Sequence, residues 1–177
     1  MIKKLINIAF YIITICYVFL MLDLFFRINL ISSSSEISRS YNLIPFKTIW
    51  YYISVDMHVS KSQVIRNILG NIAVFIPFGL YLQVLLKNKA FGKSLLIVIV
   101  TSISIEIIQF VFKVGVADID DVILNVCGGA IGIIGYKVLL KLFDEVSKTK
   151  TAITLISLVI GTPIMVIYFM VFIHRYF

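Results

Sequence analysis

The chain has 177 residues, of which 60% are hydrophobic and only 14% are charged. A soluble domain carries roughly a quarter charged residues, and the mean hydropathy of this chain is +1.05, so the composition excludes a soluble globular protein. The formal charge of +7 does not point to nucleic acid, because the basic residues flank apolar runs, as is typical of membrane anchors.

Five apolar runs are each long enough to cross a bilayer, which takes roughly 20 residues in a helix. They cover residues 5–26, 68–86, 94–112, 122–142 and 151–173. The first run is longer than the hydrophobic region of a usual signal peptide, and no small-residue cleavage site follows it, so we interpret it as an uncleaved helix. The spans predict one all-α domain over residues 1–177, a polytopic membrane helical bundle.

The connection between the first two runs is rich in aromatic residues. Phe46, Trp50, Tyr51 and Tyr52 lie close together, beside Lys47. Aromatic side chains with a polar edge prefer the headgroup layer of a bilayer. The pattern therefore predicts a short interfacial helix over about residues 46–55, in the first external loop.

Lysines mark one side of the predicted bundle. They precede the first run and fill the connections between the second and third and between the fourth and fifth runs: Lys3, Lys4, Lys87, Lys89, Lys93, Lys141, Lys148 and Lys150. Because short cytoplasmic loops carry an excess of Lys and Arg, this side is predicted to be cytoplasmic. The N-terminus is then cytoplasmic and the C-terminus external.

Polar residues collect where three of the runs reach the external side. Residues three or four apart share a helix face. The resulting stripes are Asn67 with Asn71, Glu106 with Gln109 and Asp121 with Asn125, while Arg66, Asp118 and Asp120 lie beside them. Three stripes at one depth predict a polar cavity that opens outward.

Glu106 is the most informative of these residues, because it lies well inside the third run. A charged side chain at the centre of a span costs about 2.5–3.5 kcal/mol, so Glu106 must face the bundle or a wet cavity, with Arg66 as a candidate counter-ion. Carboxyl groups there can act as general acids or bases. The candidate catalytic residues are Glu106, Asp118, Asp120 and Asp121, and the candidate substrate-binding residues are Asn71, Gln109, Asn67, Arg66 and Asn125.

Other roles remain open for the same residues. Asn and Gln inside spans often only bond neighbouring helices, and Asp120 or Asp121 is a candidate N-cap of the following helix. Carboxylate and amide oxygens also suit Mg²⁺ or Ca²⁺, so a metal ion is one candidate cofactor. Small residues that allow close helix packing follow the acidic turn at Gly128, Gly129, Gly132 and Gly135.

Four motifs follow one another along the chain. They are Asn42 with Ile44-Pro45-Phe46; Arg66-Asn67-Ile68-Leu69-Gly70-Asn71 with Phe75-Ile76-Pro77-Phe78-Gly79; Ser102 with Glu106 and Gln109; and Asp118-Ile119-Asp120-Asp121 with Asn125, Gly128 and Gly129. In this order and spacing they resemble the motifs of the VanZ-like family. The resemblance covers about residues 42–136, and four ordered motifs are far more specific than any one of them.

The resemblance implies a protein of the bacterial cytoplasmic membrane that reduces susceptibility to teicoplanin-type glycopeptides. These antibiotics act outside the cell on peptidoglycan precursors, so the expected partner is an envelope lipid or a lipid-linked precursor that the external site binds or modifies. Two alternatives are a metal-assisted membrane hydrolase or transferase, and a non-catalytic protein that binds lipid or antibiotic. A transporter is disfavoured, because the polar residues trace no path across the membrane.

The turn before the acidic run departs from the family pattern. Many members carry an Arg in this turn, whereas here it reads Lys113-Val114-Gly115-Val116-Ala117. If relatives hold a substrate phosphate with that Arg, this chain must use Lys113 or Arg66, or act differently.

Overall fold

The computed structural model describes residues 2–31, 41–54, 61–86 and 90–176, which are almost wholly helical. In chain order the elements are α1 (Ile2–Ile31), β1 (Tyr41–Asn42), α2 (Lys47–Ser54), α3 (Lys61–Leu85), α4 (Phe91–Phe112), β2 (Ala117–Asp118), α5 (Ile119–Phe143) and α6 (Val146–Tyr176). Five helices contain stretches that are long and apolar enough to cross a membrane: Lys3–Phe26, Asn67–Leu85, Phe91–Phe112, Ile119–Phe143 and Val146–Val171. The predicted all-α polytopic bundle is confirmed, and the chain is a multi-pass membrane protein.

The short helix α2 lies inside the segment predicted as an interfacial helix. Lys47, Trp50 and Tyr51 are exposed on α2, whereas Thr48 and Ile49 are half-buried. This two-sided pattern is what an amphipathic helix shows. Its place in the headgroup layer stays a prediction.

The chain divides into two compact units, a terminal unit of Met1–Leu22 with Leu139–Phe177 and a central unit of Asp23–Val138. In the terminal unit, the Nζ atom of Lys150 lies 4.6 Å from the centre of the Phe10 ring and 4.9 Å from that of Tyr11. Lys150 belongs to the span of α6. A cation over an aromatic face is stabilised by the ring quadrupole, which helps this lysine to stay inside an apolar helix.

In the central unit, α3, α4 and α5 meet along one line of contact, which we call the seam. Close approach of α3 and α5 requires glycine: a Cβ atom on Gly128 would overlap the carbonyl oxygen of Ile72, and one on Gly132 would overlap that of Ile76. The close packing predicted at these glycines is confirmed, whereas a Cβ atom on Gly135 would meet only ordinary contact at 3.9 Å. Because matching contacts advance together along both helices, α3 and α5 run in the same direction.

The seam consists of layers that recur every four residues on each helix, or about every 6 Å along the axis. Contacts define the layers in order as Asn71 with Asp121; Ser102 with Asn125; Gly79 with Val98 and Gly129; and Gln83 with Ser94. The four-residue spacing adds Glu106 to the first layer, Phe75 to the second and Ile133 to the fourth. We call the first layer the acidic end and the fourth the hairpin end, because α3 is followed by α4 there. The third, the glycine layer, is so tight that a Cβ atom on Gly79 would overlap the carbonyl oxygen of Gly129.

A two-residue parallel strand pair, which the sequence does not predict, lies at the acidic end. Tyr41 pairs with Ala117, and Asn42 pairs with Asp118. Its second strand follows the end of α4, which stops at a left-handed residue, Lys113 with φ 56°, a common way for a helix to stop. The segment before α2 is thereby fastened to the turn between α4 and α5.

Candidate functional site

Asp118 is the residue that caps α5. It directly precedes the first helical residue, and its Oδ1 accepts a hydrogen bond from the backbone N–H of Asp120 at 2.9 Å. This is the geometry of an N-cap, whose side chain satisfies a backbone donor of the first turn. The sequence-based assignment of the cap to Asp120 or Asp121 is therefore wrong. Those two carboxylates lie in the first turn, where the helix dipole favours negative charge.

Asp118 also holds the segment before α2. Its Oδ1 accepts a hydrogen bond from Nδ2 of Asn42 at 3.1 Å, and its Oδ2 accepts one from the hydroxyl of Thr48 at 2.5 Å. Asn42 donates to the hydroxyl oxygen of Thr48 as well, at 3.0 Å. The three side chains form a closed polar group in which the oxygens of Asp118 are both engaged.

Asp120 caps α2 from a distant part of the chain. Its Oδ1 accepts a hydrogen bond from the N–H of Phe46 at 2.5 Å, and its Oδ2 accepts from the N–H groups of Thr48 and Ile49 at 2.8 and 3.1 Å. Hydrogen bonds to a charged acceptor are roughly twice as strong as neutral ones. The side chain is fully buried, so Asp120 positions the start of α2 and offers no oxygen to a ligand.

Glu106 differs from both aspartates. Only 6% of its surface is exposed, and its Oε2 accepts a hydrogen bond from the N–H of Asp118 at 2.9 Å. Its Oε1 is buried and has no partner among the residues that the structure describes. A buried polar atom without a partner costs about 1–3 kcal/mol, and more in a charged group. Glu106 therefore retains a binding position that its surroundings do not fill.

Asn71 and Asp121 complete the acidic end of the seam. Nδ2 of Asn71 donates to Oδ1 of Asp121 at 2.6 Å, which joins α3 to α5. Both side chains are half-buried, and the carboxyl groups of Asp118 and Asp121 are near enough to that of Glu106 for their charges to interact. Asn71 and Asp121 are thus less buried than Glu106, which lies at the same level of the seam.

Two predicted binding residues join helices instead. Nε2 of Gln109 donates to the carbonyl oxygen of Phe25 at 3.0 Å, and Nδ2 of Asn125 donates to the hydroxyl oxygen of Ser102 at 3.0 Å. Gln109 and Asn125 therefore both bond neighbouring helices, which is the alternative role of such amides. Asn125 still has a buried Oδ1 without a partner in the described part of the chain, one layer below Glu106.

The remaining predicted residues lie at the edge of this cluster. Asn67 is half-buried on α3, four residues before Asn71. The side chain of Arg66 lies outside the described residues, and so does the predicted pair of Arg66 with Glu106. Lys113, in the turn before the acidic run, is exposed at the end of α4.

The acidic end does not fit a bound Mg²⁺ or Ca²⁺. Within residues 2–31, 41–54, 61–86 and 90–176, no three His, Cys, Asp or Glu side chains are grouped as a metal site. The physical reason is that Asp118 and Asp120 turn their oxygens toward Asn42, Thr48 and backbone N–H groups.

Thr48 is a residue of the cluster that the sequence does not single out. One signal for it is present: α2 begins after Pro45 and Phe46, neither of which has a side chain that can cap a helix. A helix start without a local cap requires a partner elsewhere. Here that partner is Asp120, with Thr48 bonded beside it.

Comparison with known proteins agrees with these motifs. A family model described as VanZ/LLP1 matches residues 8–143 of the chain. The chain is 37% identical to Protein VanZ of Enterococcus faecium over 105 residues, which are 59% of this chain and 57% of the relative, so it spans little more than half the length of that protein. No solved structure matches. Because the family match extends over well more than half of its residues, the chain belongs to the VanZ/LLP1 family.

Proposed function

We propose that the protein reduces susceptibility to teicoplanin-type glycopeptides through the acidic end of the seam, which binds or modifies an envelope lipid or a lipid-linked peptidoglycan precursor. Family membership supports the phenotype. The arrangement of Glu106, Asn71 and Asp121 supports the site, because it gathers polar side chains from three spans into one layer.

The observation that carries the proposal is the Oε1 of Glu106, which has no partner among the described side chains. A carboxyl group this deep in a spanning helix is costly unless its polar atoms are satisfied. One oxygen is satisfied by Asp118, and a ligand that bonds to the other removes the remaining cost. A ligand hydroxyl suits this position, since it both donates and accepts hydrogen bonds.

The proposal includes an orientation in the bacterial cytoplasmic membrane. The acidic end faces outward, where the precursors that glycopeptides bind are exposed. Lys93 at the start of α4 and Lys141 in the last turn of α5 lie toward the hairpin end, which the positive-inside rule assigns to the cytoplasm. The N-terminus is then cytoplasmic and the C-terminus external.

The proposal is tested by replacing Glu106 with Gln in a susceptible Gram-positive host. The variant keeps the size of the side chain but removes its carboxyl group. We expect membrane abundance near that of the unmodified protein, and teicoplanin susceptibility equal to that of cells without the protein. Both quantities are measured on the same cultures, by immunoblot and by minimum inhibitory concentration.

Glu145→Gln is the matched control, because it makes the same chemical change at an exposed residue, which pairs with Lys148 at 3.4 Å. It should keep both abundance and protection. Full protection by Glu106→Gln at normal abundance would refute the proposed site. If Glu106→Gln lowers abundance, Asp121→Asn replaces it, since Asp121 is half-buried and its loss should also abolish protection.

Binding and chemical modification are separated by lipid mass spectrometry of cells with and without the protein. A new or missing lipid species that Glu106→Gln abolishes indicates catalysis, with Glu106 as a general acid or base. An unchanged lipid profile together with protection indicates binding alone.

A further inference from the structure

The segment of residues 41–54, which we call the arm, carries an exposed apolar surface. Its large exposed side chains are Tyr41, Leu43, Ile44, Phe46, Trp50 and Tyr51, and Trp50 is 70% exposed. In water, apolar patches of this kind mark sites of interaction. On this arm four of these six side chains are aromatic, and Lys47 is exposed among them.

The contacts of the arm place it at the ends of the spans. Its strand β1 pairs with residues 117 and 118. These two residues lie between Phe112, the last residue of one candidate span, and Ile119, the first residue of the next. Its helix α2 is capped by Asp120, in the first turn of the latter span. The ring of Tyr41 lies 6.3 Å from that of Phe110, edge to face, near the end of α4. The arm therefore lies beside the end of one candidate span and the start of the next.

Phe46 shows that the exposed surface is held in place. It adopts a left-handed conformation with φ 63°, which costs a residue with a side chain roughly 1–2 kcal/mol. The N–H of Phe46 donates to Asp120, and its ring stays exposed. Asp120 thus stabilises a turn that presents an aromatic ring outward.

We propose that the arm is a lipid-contacting element, seated in the headgroup layer of the bilayer that the chain spans, and that Asp118 and Asp120 fasten it beside Glu106. Its partner is the lipid surface itself. Aromatic rings with polar edges favour this layer, and the exposed ammonium of Lys47 favours anionic headgroups. The half-buried face of α2, with Thr48 and Ile49, is turned to the protein.

The arm and the acidic end are thereby one assembly. Asp118 bonds to the arm through Asn42 and Thr48, and its backbone N–H bonds to Glu106. Asp118 is therefore the one residue that bonds both to the arm and to Glu106 in these contacts. The inference requires no antibiotic phenotype, so it stands or fails separately from the proposed function.

Trp50 is the only tryptophan of the chain, which makes intrinsic fluorescence a report on the arm alone. The purified full-length protein is reconstituted into phosphatidylglycerol–phosphatidylcholine vesicles, with bromine on the acyl chains either close to the headgroup or near the chain ends. We expect blue-shifted emission, strong quenching by bromine close to the headgroup, weaker quenching by bromine near the chain ends, and little quenching by aqueous iodide. Strong iodide quenching with no bromine quenching would overturn the inference.

The fastening is tested with Asp120→Asn, which removes the charge that binds the N–H groups of Phe46, Thr48 and Ile49. Trp50 should then emit at longer wavelength and become more accessible to iodide. Asp144→Asn is the matched control, since Asp144 is exposed in the turn after α5, and it should leave the emission unchanged. Unchanged quenching in Asp120→Asn would show that Asp120 does not position the arm.

A second variant serves if Asp120→Asn is not recovered as folded protein. Thr48→Val keeps the branched shape and removes the hydroxyl that bonds to Asp118 and Asn42. A smaller shift in the same direction supports the fastening, and no shift overturns it.

Discussion

The two ends of the seam both contain buried polar groups, yet they are built differently. At the hairpin end, Nε2 of Gln83 donates to the hydroxyl of Ser94 at 2.8 Å, and the buried Oε1 of Gln83 and hydroxyl of Tyr136 have no partner in the described part of the chain. At the acidic end, the unpartnered atom belongs to Glu106. All of these side chains at the hairpin end are neutral, whereas the acidic end gathers carboxyl groups.

The two ends also differ in how far apart in sequence their hydrogen-bonded residues are. Gln83 and Ser94 are 11 residues apart, so their bond closes the hairpin of α3 and α4. The bonds of Asp118 and Asp120 with the arm join residues 70 to 76 positions apart. A neutral bond between sequence neighbours suffices to hold helices together, and a buried charged cluster costs more than that task requires. The contrast favours a structural role for the hairpin end and a functional role for the acidic end.

The two ends are distinct only if the close packing of α3 against α5 separates them. Gly132→Leu tests this packing and has the largest expected effect. A side chain there would meet the backbone of α3 at Ile76, so α3 and α5 must separate. We expect destabilisation of about 3 kcal/mol or more and loss of folded protein from the membrane. Thermal unfolding in detergent and membrane abundance measure the effect.

Gly70→Ala is the control for that substitution, because nothing lies within 4 Å of a Cβ atom at Gly70. It should stabilise α3 by roughly 0.5–1 kcal/mol, as alanine does relative to glycine inside a helix. If leucine at position 132 is tolerated as well, the seam is not closed and the two ends belong to one cavity.

The two ends should also face opposite sides of the membrane. A topology reporter gives an all-or-none readout of this. A reporter inserted between Ser32 and Ser35, in the connection that leads to the arm, is expected to be external. The same reporter inserted at Asn88, in the connection between α3 and α4, is expected to be cytoplasmic. Alkaline phosphatase activity with matched expression measures each location. External activity at Asn88, or its absence at the first site, would reverse the proposed orientation.

Tyr136→Phe should have the smallest effect. The hydroxyl is buried and has no partner among the residues described, so its removal relieves a desolvation cost of up to about 1–3 kcal/mol. We expect unfolding temperature equal to or slightly above that of the unmodified protein, with glycopeptide protection retained. Loss of protection at normal stability would place function at the hairpin end too and would remove the distinction between the ends.

The helices could be predicted from local sequence because a bilayer requires about 20 apolar residues in each span. The bounds differ where polar residues extend a helix. The structure begins α5 at Ile119, before the apolar run that starts at residue 122, since Asp118 caps the helix one residue earlier. The second spanning helix likewise begins at Lys61, before its apolar run at residue 68.

The site could be predicted only in part. Spacing along α3, α4 and α5 brings Asn71, Glu106 and Asp121 to one level, and the structure places them there. Spacing cannot distinguish a binding amide from one that joins helices, because the partner of Gln109 is a carbonyl oxygen on α1. It also cannot reveal that Asp120 bonds to a helix start more than 70 residues earlier in the chain.

That separation in sequence has a consequence for the synthesis and membrane insertion of the protein. Residues 46–49 leave the ribosome some 70 residues before the aspartates that hold them, and synthesis at about 5–20 residues per second makes the delay roughly 4 to 14 s. During that interval α3 and α4 can insert, but the arm has no anchor. The acidic end can therefore form only when α5 enters the membrane. A chain interrupted before the turn that precedes α5 would contain Glu106 but lack Asp118, whose N–H bonds to it.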